Sequence, residues 1–233
     1  MVAMEIVQSV ILITAAGSPI GKAISLHFAS LGAKLALVDI DKVQLNQTYR
    51  ACKANGAACE AFCLAQQDEA NIEGVFDSIH QQLGAIDVLI NYTQGTKLPA
   101  LFSPSSVDTF SHSMIDLATT FFAFGKQAAH YMRNYNRQGV IVNLITQPQD
   151  NEAHPNFDST KAMVSGLTQS WAKELANFNI RVGGVVPITI GCDCNDCSGS
   201  HVMNQHLQYE IVRSAEYIVT NDYFNGRMLE AEI

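Results

Sequence analysis

The sequence predicts an α/β fold: a doubly wound parallel sheet of about seven strands with helices on both faces. Two observations carry that reading. Seven short runs rich in β-branched residues are apolar on both faces, as strands covered from two sides must be. Between them lie longer stretches whose apolar residues recur at helical spacing, so strands are joined by helical crossovers. Right-handed crossovers place ligands beyond the carboxyl ends of the strands.

The strand runs are, in order, SVILIT (9–14), AKLALVD (33–39), CEAFCL (59–64), IDVLIN (86–91), GVIVNLI (139–145), IRVGGVV (180–186) and GRMLEAEI (226–233). After the first, apolar side chains at 20, 23, 24, 28 and 31 fall on one helical face, and those at 72, 75, 76, 79 and 83 repeat the pattern after the third. Stretches 106–133 and 158–178 supply two longer helices. No repeat, low-complexity tract or Pro/Gly/Ser-rich linker divides the 233 residues, which are expected to form one domain.

Composition excludes several functions. A net charge of -8 and 14 scattered basic residues form no surface for nucleic acid or anionic membrane. VILITAAG lacks a basic flank, so it is not read as a secretory signal. No stretch approaches the ~18 apolar residues of a membrane helix. A soluble, cytoplasmic protein is expected, with its six cysteines reduced. Cys52, Cys59 and Cys63 read as packing residues at a helix end and a strand.

The first strand runs directly into TAAGSPIG (14–21), where a helix begins. A strand, a tight turn and a helix N-terminus make a pyrophosphate cradle, because backbone N–H groups and the helix dipole converge on the anion. Thr14, Gly17, Ser18, Pro19, Ile20 and Gly21 are the candidate contacts. Asp39, ending the second strand, is placed to accept hydrogen bonds from an adenosine ribose, which favours NAD over NADP. A plain strand-to-helix turn with no ligand remains the alternative.

This pattern resembles the short-chain dehydrogenase/reductase family, whose Rossmann-type loop reads T-G-x-x-x-G-x-G. The likeness runs nearly the whole length and is nearest in general look to 3-oxoacyl-carrier-protein reductases. Thr14 and Gly21 match, whereas Ala15 and Pro19 replace two glycines. An alanine resists the positive φ that glycine takes freely; Pro19 donates no N–H, although its φ suits a first helical position. The family's adenine-binding aspartate aligns with Ala65, and its N-N-A-G segment with Asn91, Tyr92, Thr93 and Gln94. The bulkier side chains there narrow the cofactor channel.

By the same resemblance, a serine, a tyrosine, a lysine and an asparagine move a proton while the nicotinamide moves a hydride. Their positions hold Thr146, Phe157, Lys161 and Asp116. Thr146 keeps a hydroxyl, and an ionised Asp116 accepts but does not donate. Phe157 has no ionisable proton, a loss worth about 10²–10⁴ in rate. Lys161 either grips a ribose or is an ion-paired lysine on a packed helix. His154 and Tyr92 are the candidate substitutes for the missing acid.

The resemblance further implies a small carbonyl or alcohol substrate and a homodimer or homotetramer built through 106–133 and 158–178, with Phe121, Phe122, Phe124 and Trp171 on the surface or in the core. The lid, around 187–206, is shortened. It contains Cys192, Cys194, Cys197 and His201, open to two readings, a zinc site or exposed thiols. Three functions follow: a weakened NAD-linked oxidoreductase; a silent relative serving in binding or assembly, alone or beside an active homologue; or a metal- or redox-responsive protein.

Overall fold

The computed structural model describes residues 5–66, 68–95, 98–99, 101–146, 157–188 and 200–232, with the backbone alone at 157, 188, 200–205 and 232. Seven parallel strands form one sheet, β1 (Val10–Ile13), β2 (Lys34–Asp39), β3 (Cys59–Cys63), β4 (Ile86–Gln94), β5 (Val140–Thr146), β6 (Arg181–Ile188) and β7 (Met228–Glu232), in the order β3-β2-β1-β4-β5-β6-β7. Six helices connect them: α1 (Pro19–Ser30), α2 (Lys42–Ala54), α3 (Glu69–Gln82), α4 (Val107–Asn134), α5 (Phe157–Leu175) and α6 (Ser200–Thr220). The strand order reverses between β1 and β4, and there the diverging connections open a crevice.

Alternation along the strands separates two cores. Ile11, Ile13, Leu35, Leu37, Val88, Ile90, Val142 and Leu144 pack beneath α1, α2 and α6, while Leu12, Val38, Leu89, Ile141 and Val182 meet α3, α4 and α5. Phe121 and Phe124 are wholly buried and Trp171 nearly so, whereas Phe122 is exposed. Cys52 and Cys59 pack inside. Cys63, expected to pack as well, is exposed, because it ends the sheet's edge strand.

Strand β4 runs three residues beyond the expected 86–91, since Tyr92, Thr93 and Gln94 pair with Leu144, Ile145 and Thr146 of β5. At its other end the β1–β4 register slips between Val10 and Ile11, leaving Asp87 as an extra residue. Its carboxylate makes up the missing bond: Oδ2 accepts the Val10 N–H at 2.9 Å, and Oδ1 accepts Arg137 Nε–H at 2.9 Å. Asp87 is buried, so deleting its carboxylate strands a backbone donor and leaves the guanidinium without its partner. Asp87→Ala is expected to cost about 2–3 kcal/mol, read as a lower urea midpoint at unchanged slope.

Candidate functional site

Beyond the carboxyl ends of β1, β2 and β4 lies a cavity of about 700 Å³. Its near wall is the β1–α1 loop, with Thr14, Ala15, Gly17, Ser18 and Pro19. Asp39, Ile40, Asp41, Gln44 and Gln47 form one side, Tyr92, Thr93, Gln94 and Thr120 the other, and Lys22 reaches in from α1. The Thr14 hydroxyl donates to the Tyr92 carbonyl at 2.7 Å and accepts the Tyr92 N–H at 2.8 Å, tying the end of β1 to β4.

The loop is tight. Ala15 takes φ 48°, the left-handed conformation glycine would hold without strain. Its carbonyl accepts both the Ser18 N–H at 3.1 Å and the Ser18 hydroxyl at 2.8 Å. Ser18 also caps α1, its oxygen accepting the Gly21 N–H at 2.9 Å, and Pro19 opens the helix as its fixed φ allows. A Cβ on Gly21 would overlap the Ala15 carbonyl, so only glycine lets the helix close on the strand here.

Much of the loop's donor capacity is spent internally. Gly17 N–H donates to Asp39 Oδ2 at 2.7 Å, and Asp41 N–H to Asp39 Oδ1 at 2.9 Å. Ser18 and Gly21 bond within the loop, and Pro19 has no N–H. Among the described residues, the Ala15 N–H and the Ile20 N–H in the first turn of α1 keep no internal acceptor. The Ile20 amide at the helix N-terminus, the helix dipole and Lys22 are open to a phosphate. Asp39 retains lone pairs for ribose hydroxyls, since a carboxylate has about four acceptor sites. The adenosine half of a dinucleotide therefore fits the residues present.

Toward β5 the crevice meets Tyr92. The Tyr92 hydroxyl lies 3.0 Å from Thr146 Oγ1. One phenol thus stands between the β1–α1 loop and the Thr146 hydroxyl of β5. Tyr92 is 3% exposed; burial pushes its pKa up, against smaller lowering by Thr146 and Ser18. The sequence showed its bulk but not its direction.

The remaining expected site residues are dispersed. Asn91 lies inside the sheet, its amide donating to the Phe121 carbonyl at 3.0 Å and to Asn143 Oδ1 at 3.3 Å. Ala65 is exposed after β3, and Asp116 is exposed on α4; neither lines the cavity, where Thr120, one turn past Asp116, does. Ile20 packs in the core. Lys161 Nζ lies 2.6 Å from Asp158 Oδ1, one turn earlier on α5. Phe157 is the first residue of α5, and His201 falls in α6. His154, Cys192, Cys194 and Cys197 lie outside the described residues. Lys22, Gln44, Gln47 and Thr120 were missed, although Gln44 and Gln47, three apart after the Asp41 cap, share a helical face that could have flagged them.

Residues 9–201 match the family model of the short chain dehydrogenases. The chain is 32% identical over 184 residues to the 3-oxoacyl-[acyl-carrier-protein] reductase FabG of Thermotoga maritima, covering 79% of this chain and 75% of that protein. It is 31% identical to the 2,3-dihydro-2,3-dihydroxybenzoate dehydrogenase of Bacillus subtilis, covering 75% and 67%. A short-chain type dehydrogenase/reductase from Mycobacterium marinum superposes with a TM-score of 0.81 at 19% identity, over 98% and 95% of the two chains. NAD+-bound xylitol dehydrogenase superposes at 0.78 and 23% identity, over 97% and 98%. The chain belongs to the short-chain dehydrogenase/reductase family. Membership implies a nicotinamide dinucleotide cofactor and oxidoreductase chemistry on small molecules, in proteins that are typically oligomeric. Among the described residues, no helix is long and apolar enough to cross a membrane.

The strained Ala15 yields a direct expectation. Ala15→Gly removes the left-handed penalty and is expected to stabilise the fold by about 1 kcal/mol. The melting temperature should rise by about 2–4 °C in a chain of this size; a fall would show that the loop holds Ala15 without strain.

Proposed function

We propose that this protein is an adenine-nucleotide-binding member of its family whose carbonyl–alcohol chemistry is silent or strongly reduced. The observation that carries this reading is Phe157 at the position of the family's proton donor, a side chain with no proton to give. Two contacts support it. The Thr146 hydroxyl is held by Tyr92, and Lys161 sits against the Asp158 carboxylate. Tyr92 does not replace the missing acid, because its ring lies on the path the nicotinamide would follow; phenol and ring cannot occupy the same place.

The nucleotide reading rests on Asp39. Its carboxylate would accept two ribose hydroxyls and repel a 2′-phosphate, favouring the NAD type of adenosine over the NADP type. Calorimetry with ADP and with adenosine 2′,5′-bisphosphate tests this: ADP is expected to bind at least about tenfold more tightly. Absence of saturable binding by either would end the nucleotide reading.

For the silent centre, restoring one group is insufficient. Phe157→Tyr alone should leave ketone reduction by NADH at background, whereas Phe157→Tyr with Tyr92→Asn should raise it by at least about tenfold. Brisk reduction by the unmodified chain would overturn the reading.

An assembly role follows from the outer face of α4 and α5. Exposed Phe122 lies 6.4 Å from the Trp171 ring, and with Phe178, Lys126 and Glu174 it lines a groove of about 250 Å³. Such an apolar groove with mixed charges suits a second copy or an active homologue. Sedimentation is expected to give a dimer or tetramer, and Phe122→Glu a smaller species.

A further inference from the structure

The cavity beyond β1, β2 and β4 opens along Asp39 and Gln44 on one side and meets Tyr92 toward β5. Its described lining runs from the β2–α2 side, with Asp39 and Gln44, past Ser18 and Lys22 to Tyr92, Thr93, Gln94 and Thr120, and includes neither Thr146 nor Lys161. Tyr92 stands in the wall at that end. Its backbone is fixed by both bonds to the Thr14 hydroxyl, its hydroxyl meets Thr146 at 3.0 Å, and its ring packs in the core beneath α1 and α6. A side chain anchored at backbone, ring and hydroxyl is not a loose flap.

We propose that the site takes a nucleoside 5′-phosphate carrying one base, in the manner of ADP, and that Tyr92 is the specificity-determining residue that excludes the nicotinamide riboside half of the dinucleotide. The inference rests on the nucleotide reading of the Asp39 cavity and narrows it. The base and first ribose lie along Ile40, Gln44 and Asp39. The phosphates meet the Ile20 N–H, the N-terminus of α1 and Lys22, whose charge suits a terminal phosphate that no second nucleoside masks. Beyond the β-phosphate the next group would be a ribose, and there the Tyr92 ring stands.

The location of the obstruction makes the idea testable by a ligand series. Calorimetry on the unmodified protein with ADP, ADP-ribose and NAD should show the loss, about tenfold or more, between ADP and ADP-ribose, with little further change to NAD. Tyr92→Asn should bring ADP-ribose and NAD to within about threefold of ADP while leaving ADP unchanged. Tyr92→Phe, which keeps the ring and removes the hydroxyl that holds it, should recover part of that gap if the smaller variant fails to fold.

Equal affinity for ADP and NAD in the unmodified protein would overturn the exclusion while leaving the nucleotide site standing. A loss confined to the step from ADP-ribose to NAD would place the obstruction at the nicotinamide ring and overturn the assignment to Tyr92. Failure of all three ligands to bind would remove the nucleotide reading itself, and this inference with it.

Discussion

The Thr14 hydroxyl, bonded to both backbone groups of Tyr92, is the interaction on which the site turns. It holds the end of β1 against a β4 that has been extended to Gln94, and so sets which face each residue of that extension addresses. With period-two alternation, Tyr92 falls on the face of Ile90 and Val88. From there its ring reaches under the phosphate loop and its hydroxyl meets Thr146. A side chain too short to span from the loop to β5 would leave the crevice continuous; tyrosine spans it and binds at the far end. The same tie therefore aims the Tyr92 side chain at Thr146.

Much of the fold was legible because the cues were strong. Strands buried on both faces show as unbroken apolar runs, and all seven appear within a few residues of their expected bounds. The largest discrepancy is the extension of β4 through Tyr92, Thr93 and Gln94, which lie where the family has a cofactor motif. Their strand propensity and their pairing with β5 were not visible locally. Ala15 is the opposite case. The sequence correctly marked it as resisting a positive φ, yet the chain adopts φ 48° because the Ala15 carbonyl anchors Ser18 and the close approach of Gly21 leaves no other route. Tertiary constraint overrode a local preference, at the cost of strain.

The candidate site was less legible, for a geometric reason. Residue type tells what a side chain can do, not where it points. Asn91 matches a family motif, but its amide is consumed between the Phe121 carbonyl and Asn143, linking β4 to α4 and β5. Asp39 was placed correctly at the end of β2, although its bonds to the Gly17 and Asp41 amides could not be read from the sequence. Lys161 and Asp158 stand three apart on one helix, a spacing that favours an ion pair. That spacing was readable, and a carboxylate at this distance competes with any ribose for the ammonium.

The two sides of the crevice stand on different supports. The adenosine side is built from β1, β2, α1 and α2, and its key residues double as structural ones. Gly21 permits the helix to pack, Ser18 caps it, and Asp39 binds two backbone amides. Removing any of them would weaken the fold itself, so the shape of that half is supported by stability as well as by any ligand. The side toward β5 and α4 is less uniformly tied in: Thr146 is buried at a strand end and bonded by Tyr92, while Asp116 is exposed on α4. A substitution at Asp116 therefore costs little packing. Stability protects the shape of the crevice more evenly on the adenosine side, and Tyr92 stands at the boundary between the two.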